Sequence, residues 1–163
     1  MLAPWFVRLF DMLGYLDFER SAFKDTSSKI RAVFLLQYLV YGEERQYKES
    51  DLLFNRLLTD IPVTIPLPKS LSLSEKEKET AEGMIAGVKA NWLKMDGTSI
   101  NGFRNSFISR NGVMNRPNDH WVITVEEKAY DIMLDTVPWG FRQIRLPWLK
   151  LFIQVVWQDK ELI

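Results

Sequence analysis

The titratable residues with the spacing of a catalytic pair are two aspartates near the C-terminus. Asp131 and Asp135 lie four residues apart in AYDIMLDT, so a short helix would place both carboxylates on one face. Two carboxylates can divide the general-acid and general-base steps of a hydrolysis. Solvated surface acids are the commoner alternative, and Asp131 could instead form a structural ion pair with Arg142 or Arg145. An enzymatic function is therefore disfavoured.

Residues for other chemistries are sparse. His120 is the only histidine and the chain has no cysteine, which excludes the usual zinc sites and any disulfide framework. His120 sits beside the turn RPND and next to Trp121, so we interpret it as an exposed turn residue. The chain has neither the GxxxxGK[ST] phosphate loop nor a GxSxG nucleophile elbow. We expect no cofactor and no metal.

Charge and hydropathy exclude further classes of protein. The 21 basic and 21 acidic residues are spread evenly, without the basic concentration on which nucleic-acid binding depends. No apolar run reaches the roughly 20 residues that span a bilayer. The apolar N-terminus is interrupted by Arg8 and Asp11 and lacks a cleavage site, so it is not a signal peptide. An interfacial helix over residues 1–16 remains the membrane alternative.

Hydrophobic periodicity predicts a helical body. Helices are expected over residues 5–16, 25–41, 49–58, 75–95 and about 98–108. Asp25 or Thr26 can cap the second helix, Gly42 can end it, and Ser74 with Glu77 has the spacing of a capping box. Three prolines make residues 61–73 an extended strap.

After Asn111 the period changes from helical to alternating. Strands are expected near 113–114, 121–126, 144–148 and 152–157, with a short helix over 128–135. The fold class is therefore α+β, a mainly α-helical body with a small antiparallel β-rich C-terminal unit. We expect residues 1–163 to form a single domain made of four parts: a helical layer (1–60), the strap (61–73), further helices (74–110) and the β-rich unit (111–163).

One candidate interaction motif is GFRNSFISR, residues 102–110. It places two phenylalanines at helical spacing and arginines on other faces: Phe103, Phe107, Arg104 and Arg110. A core-facing helix with ordinary surface arginines is one interpretation. A contact surface formed by Phe103, Arg104 and Phe107 is the other.

The second candidate is VPWGFRQIRLPWLK, residues 137–150. Two rigid Pro-Trp pairs, centred on Trp139 and Trp148, enclose Arg142 and Arg145. Both tryptophans could simply fill the core of the small sheet. Crowding favours a partner surface, because four tryptophans and two phenylalanines lie within residues 121–157 and a large aromatic side chain buries roughly 150–250 Å². Tryptophan and arginine are also enriched at interface hot spots.

Local context distinguishes the two tryptophans. Flexible Gly140 follows Trp139, which we place nearer the interface, whereas Trp148 lies in the extended RLPW segment and is placed nearer the core. If both are contact residues, replacing them with alanine leaves a folded protein that fails to assemble with its partners.

Four segments in order resemble a known family. LLQYLVYGEE (35–44), GFRNSFISRNG (102–112), WVITVEEKAYDIMLDTVPW (121–139) and RLPWLKLFIQVVW (145–157) are similar to the C-terminal domain of contractile injection system tape measure proteins. The similarity covers essentially the whole chain. It implies a bacterial phage-tail-like particle with an inner tube, a contractile sheath, a baseplate and a cap.

The resemblance implies two roles. Family members carry a long region before this domain, whereas this chain begins almost directly at it, and a folded chain of this length has a radius of gyration of only about 15 Å. We therefore expect a terminal adaptor that binds the tube end or cap, with a tape measure that sets tube length from the lumen as the alternative. Expected partners are inner tube, cap and possibly sheath subunits, and six copies follow by analogy. Assembly is expected in the bacterial cytoplasm, and the protein then stays in the particle, with extracellular release of the particle as a further option.

Overall fold

The chain folds into helices followed by a small sheet, as the computed structural model of residues 1–158 shows. The α-helices are α1 (Phe6–Met12), α2 (Thr26–Tyr41), α3 (Leu53–Thr59), α4 (Glu75–Ala90) and α5 (Ile100–Phe103), which continues as a π-helical segment, Arg104–Ile108. Short 3₁₀ helices cover Ala3–Trp5, Glu49–Leu52, Leu93–Met95 and Ala129–Thr136. The strands are β1 (Gly112–Asn115), β2 (Val122–Val125), β3 (Gln143–Ile144) and β4 (Ile153–Val156). The predicted α+β class is confirmed.

Helix α2 is the centre of the body, and it begins and ends at the residues that the sequence predicts. The Asp25 side chain accepts a hydrogen bond from the Ser28 amide at 2.7 Å, which caps the first turn. Gly42 ends the helix in the left-handed conformation, with φ of 72°. Because most of its circumference is apolar, the helix is buried among α3, α4 and the π-helical segment.

Helix α4 begins as predicted and ends earlier than predicted. The Ser74 hydroxyl accepts from the Glu77 amide, and the Glu77 carboxylate accepts from the Ser74 amide, forming the expected capping box. The helix ends at Ala90, five residues before the expected end. The backbone and side-chain amides of Asn91 donate hydrogen bonds to carbonyls of its last turn. The 3₁₀ turn Leu93–Met95 then redirects the chain so that Trp92 is buried.

The proline-rich strap crosses the outer side of α2. Ile61 joins Val33, Phe34 and Leu52 in a small apolar cluster, against which Ile65, Leu67 and Leu71 are packed. The Arg56 guanidinium donates to the Pro62 carbonyl at 2.9 Å, which fixes the start of the strap. The strap is therefore bound to the helical body along its length.

The sheet is mixed, and here the antiparallel prediction was wrong. Its strand order is β1-β2-β4-β3, with antiparallel pairs β1–β2 and β3–β4 and a parallel pair β2–β4. Parallel strands need a crossover of a dozen or more residues. Residues 126–152 supply it, because they contain the 3₁₀ helix Ala129–Thr136 and strand β3. Of the predicted strand over 144–148 only Ile144 is in a strand, and Pro147, which has no N–H to donate to a ladder, lies in the turn that follows.

Helices and sheet share one hydrophobic core. Ile123, Ile153 and Val155 from the sheet belong to the same buried cluster as Phe10 of α1 and Ile85 of α4. The expected β-rich unit is therefore packed on the body through its inner face, and of its residues 111–163 the last five, 159–163, lie outside the described part. Among the described helices, none combines the length and apolarity that a bilayer crossing requires.

Replacing Gly42 with alanine should destabilise the fold. An added Cβ would lie 2.7 Å from Nη1 of the Arg104 guanidinium, and φ of 72° is unfavourable for a residue with a side chain. We expect the free energy of unfolding to fall by about 2 kcal/mol in urea denaturation. The control is Gly83→Ala, in open space within α4, which should raise it by about 0.5–1 kcal/mol. Equal effects would contradict this account of Gly42.

Candidate interaction site

Asp131 is buried and holds three segments together. Its carboxylate accepts both terminal N–H groups of Arg110, at 2.9 and 2.5 Å, together with the Lys128 amide and the Trp157 indole N–H. Both side chains of the ion pair are 3% exposed. The expectation that Arg142 or Arg145 is the structural partner was wrong, because Arg110, two residues after the π-helical segment, forms the ion pair.

The environment of Asp131 keeps it ionised. Burial alone would raise the pKa of Asp131, but the hydrogen bonds from Arg110, Lys128 and Trp157 outweigh it and hold the pKa below its usual value. Asp135, the other member of the predicted acid–base pair, is exposed on the same 3₁₀ helix. Asp131 therefore acts in this fold as a cross-link between segments.

The lone histidine is part of a small surface stack. His120 lies against Phe152, with ring centroids 5.2 Å apart, and its Nε2 is 3.1 Å from the Gln154 side-chain oxygen. It is therefore half-buried, where the sequence analysis expected an exposed turn residue. Within residues 1–158, no three His, Cys, Asp or Glu residues are grouped so that they could hold a metal ion.

The first predicted contact motif lies inside the protein. Phe103 and Phe107 are 0% and 3% exposed and pack around the Trp92 ring. Arg104 is 3% exposed: its Nε donates to the Leu39 carbonyl at the end of α2, and Nη2 meets Glu82 at 2.5 Å. The interpretation of this arginine as a surface residue was wrong. These three side chains have almost no exposed surface with which to contact a partner. The candidate contact residues that remain are those of the second motif.

Trp139 joins the second motif to the N-terminus of the chain. Its indole N–H donates to the Met1 carbonyl at 3.1 Å, and its ring meets the Trp5 ring edge-on, with centroids 4.7 Å apart. The side chain is half-buried in this arrangement. Crowding of aromatic residues predicts that this tryptophan contacts a partner protein, but its contacts here are with the N-terminal residues of the same chain.

Trp148 makes an equivalent contact further along. Its indole N–H donates to the Leu58 carbonyl at 2.7 Å, and its ring packs on Phe10 and Phe23, with centroids 5.9 and 4.8 Å away. We call Trp139 and Trp148, with these contacts, the tryptophan clamp. Both rings are half-buried, so the structure does not separate a core tryptophan from a contact tryptophan in the way that the sequence suggested.

The two arginines between the Pro-Trp pairs are exposed. Arg142 donates to the Trp157 carbonyl at 2.7 Å and lies over the Phe141 ring. Arg145 lies 4.8 Å from the centroid of the Phe152 ring and donates to the Gln143 side chain. Of the seven predicted contact residues, these two present a charged group to solvent.

An open groove lies beside Arg145. Residues 145–147 and 149–152 line it, and its volume is about 410 Å³. Arg145 and Lys150 supply positive charge, while Leu149, Leu151 and Phe152 supply apolar surface, and no acid is among the lining residues. We call this the basic groove. It is formed by the end of the second motif and the two residues that follow it.

A buried network around Glu77 was missed by the sequence analysis. The Tyr15 hydroxyl donates to the Glu77 carboxylate, and Arg31 donates to it from Nε at 2.9 Å. Burial alone would raise the pKa of Glu77, but the bonds from Arg31, Tyr15 and Ser74 lower it to about 2. The capping-box spacing identified Glu77, whereas nothing local in the sequence linked it to Tyr15, 62 residues away.

A comparison with protein families gives a match. The model described as contractile injection system tape measure protein matches residues 1–157. Neither the curated proteins nor the solved structures give a match.

Acid should weaken the fold through Glu77. Because its pKa is lowered on folding, its contribution is complete above the usual value of 4.5 and disappears as the pH falls towards 2. We expect the free energy of unfolding to decrease by about 3 kcal/mol over this window, and the lowered pKa of Asp131 acts in the same direction. Urea denaturation of Glu77→Gln at each pH should give a flatter profile, and an unchanged slope would contradict the assignment.

Removing the tryptophan clamp should affect stability directly. Trp148→Ala should lower the free energy of unfolding by about 3–5 kcal/mol, because it leaves a cavity against Phe10 and Phe23. Trp148→Phe keeps most of the ring contact and loses the bond to the Leu58 carbonyl, so about 1–3 kcal/mol is expected. Thermal and urea unfolding measure both, and a fully stable Trp139→Ala, Trp148→Ala double variant would contradict the clamp.

Proposed function

The chain belongs to the contractile injection system tape measure proteins, and from this premise we propose that it acts in the tube-assembly step that gives the family its name. The observation that carries the proposal is the family match over residues 1–157 of 163. The family is a structural component of the tail and not an enzyme family. As a component of such a particle, the chain interacts with other subunits of the tube or particle.

The family description favours one of the two expected roles. The sequence favours a terminator adaptor over a tape measure, whereas the description of the matching family supports the tape measure. We therefore propose that the protein contributes to setting the length of the inner tube. Its place would be inside the growing particle, with assembly in the bacterial cytoplasm.

The dimensions of the fold limit how it can do so. The longest α-helices of the described chain, α2 and α4, have 16 residues each, or about 24 Å at 1.5 Å per residue. Both are packed side by side in one core and do not extend along an axis. We propose that this fold is the part of the tape measure apparatus that binds a tube-end subunit. A separate, extended part of the apparatus would then set the length of the tube.

The same dimensions favour a second candidate. A compact fold of about 15 Å radius of gyration also suits an adaptor that closes the finished tube and receives the cap. Both candidates require a docking surface for tube or cap subunits, with the sheath as a further neighbour. Six copies around the tube would follow from analogy with its symmetry.

We place the docking surface at Arg142 and Arg145, with the tryptophan clamp as its support. Arg145 is held in place by the Phe152 ring and the Gln143 side chain, so its guanidinium is partly ordered before any partner arrives. Planar guanidinium groups bind carboxylates in a bidentate manner. The partner surface at this point should therefore be acidic.

Deletion of the gene from a strain that produces particles distinguishes the two candidates. A tape measure function predicts inner tubes with a broad distribution of lengths in electron micrographs, because growth has no stopping point. An adaptor function predicts tubes of normal length with an open end. Capped tubes of normal length in the deletion strain would contradict both.

A charge reversal tests the docking surface in the same strain. Complementation with Arg145→Glu should reduce the number of complete particles at least tenfold, because like charges then face each other. The control is Lys94→Glu, at another exposed basic residue, on the Leu93–Met95 turn, and this variant should assemble normally. Equal yields of particles from both variants would remove Arg145 from the docking surface.

A further inference from the structure

Phe18 is presented to solvent in full. Its exposed fraction is 102%, the highest of the large apolar side chains in the described chain. Single exposed apolar residues are common on protein surfaces. What distinguishes Phe18 is the structure that holds it outward.

The turn of residues 16–23 is tightly hydrogen-bonded. The Asp17 carboxylate accepts from the Ser21 amide at 2.9 Å and from the Ser21 hydroxyl at 3.2 Å, and the Asp17 amide donates to the Ala22 carbonyl at 2.8 Å. Leu16 and Phe23 pair across the base of the turn and are buried. We call this the Phe18 turn. Its bonds keep the phenyl ring at the tip, away from the core.

The rim of the Phe18 turn is acidic. Asp17 and Glu19 flank the ring, and Glu19 is exposed. Arg20, the one base of the turn, is 65% exposed and forms an ion pair with Asp11 at 3.0 Å, so the acids Asp11, Asp17 and Glu19 outnumber it. An apolar tip with a negative rim thus stands on this part of the surface.

The basic groove has the opposite properties. Arg145 and Lys150 border it, and Leu151, which is 51% exposed, lies with Leu149 and Phe152 along its wall. Its volume of about 410 Å³ leaves room for a phenyl ring, since an apolar cavity of about 150 Å³ can hold benzene. Its charge is therefore opposite to that of the acids around Phe18, and its volume is sufficient for the ring.

We propose that the Phe18 turn of one copy binds the basic groove of a second copy and that the chain forms a two-fold symmetric dimer. The two surfaces lie at the same end of the molecule, because Trp148, between the groove residues Pro147 and Leu149, packs on Phe23 at the base of the turn. Neighbouring complementary surfaces suit an isologous dimer, in which each contact occurs twice. This inference does not rest on the proposed role in tube assembly, but the dimer and the tube-end partner would both bind at Arg145 and would therefore compete for it.

Sedimentation velocity of the purified full chain over a concentration series tests the dimer. The wild type should show a concentration-dependent dimer. Phe18→Ser should raise its dissociation constant about 100-fold, since each of two contacts loses roughly tenfold. Leu93→Ser, which removes an apolar side chain of 86% exposure elsewhere, is the control and should leave the dimer unchanged. A wild type that stays monomeric, or a Phe18→Ser dimer as stable as the wild type, overturns the proposal.

A charge exchange tests the pairing itself. Glu19→Lys and Lys150→Glu should each weaken the dimer by repulsion across the rim, and the double variant should restore it. Single variants that both weaken the dimer without recovery in the double variant overturn the assigned contact. Circular dichroism establishes that each variant is folded, as expected for exposed positions. Particle assembly in the deletion strain is scored separately, so a monomeric protein that still builds normal tubes overturns the dimer and leaves the proposed function intact.

Discussion

The indole N–H groups of the tryptophan clamp are the constraint on which the rest of the arrangement depends. Trp139 donates to the carbonyl of Met1 and Trp148 to that of Leu58, so residues 138 and 90 positions apart are joined by directed bonds. Apolar burial alone would hold the sheet against the helices in many orientations. A partly buried N–H that must find an acceptor selects among those orientations. The shared core then forms between surfaces whose relative position is already specified.

Buried arginines also join separate segments of the chain. The side chains of Arg56, Arg104 and Arg110 are each 3% exposed, and each meets both a carboxylate and backbone carbonyls. Removing such a charge from water costs several kcal/mol, which only multiple hydrogen bonds can offset. The carbonyls that they bind lie at the ends of segments, where backbone acceptors lack helical partners. These side chains therefore join the ends of segments whose relative positions the local sequence does not determine.

Local signals in the sequence were sufficient for most elements and insufficient for their assembly. The caps of α2 and α4 could be predicted because Asp25, Gly42, Ser74 and Glu77 act on residues a few positions away. The parallel pairing of β2 with β4 could not, because it depends on how a 27-residue connection crosses the sheet. For the candidate site, the pattern of Trp and Arg identified the exposed arginines, but burial of Arg104 and the Met1 acceptor of Trp139 required knowledge of distant segments.

The clamp also sets an order of events during synthesis. The helices of the body leave the ribosome first, while the tryptophans that cover Trp5, Phe10 and Phe23 are more than a hundred residues behind. At roughly 5–20 residues per second, these aromatic surfaces stay uncovered for several seconds. Contacts between such distant residues also make folding slow once the chain is complete. The nascent helical body therefore passes through a stage in which its own future core is exposed, and protection by chaperones matters most at that stage.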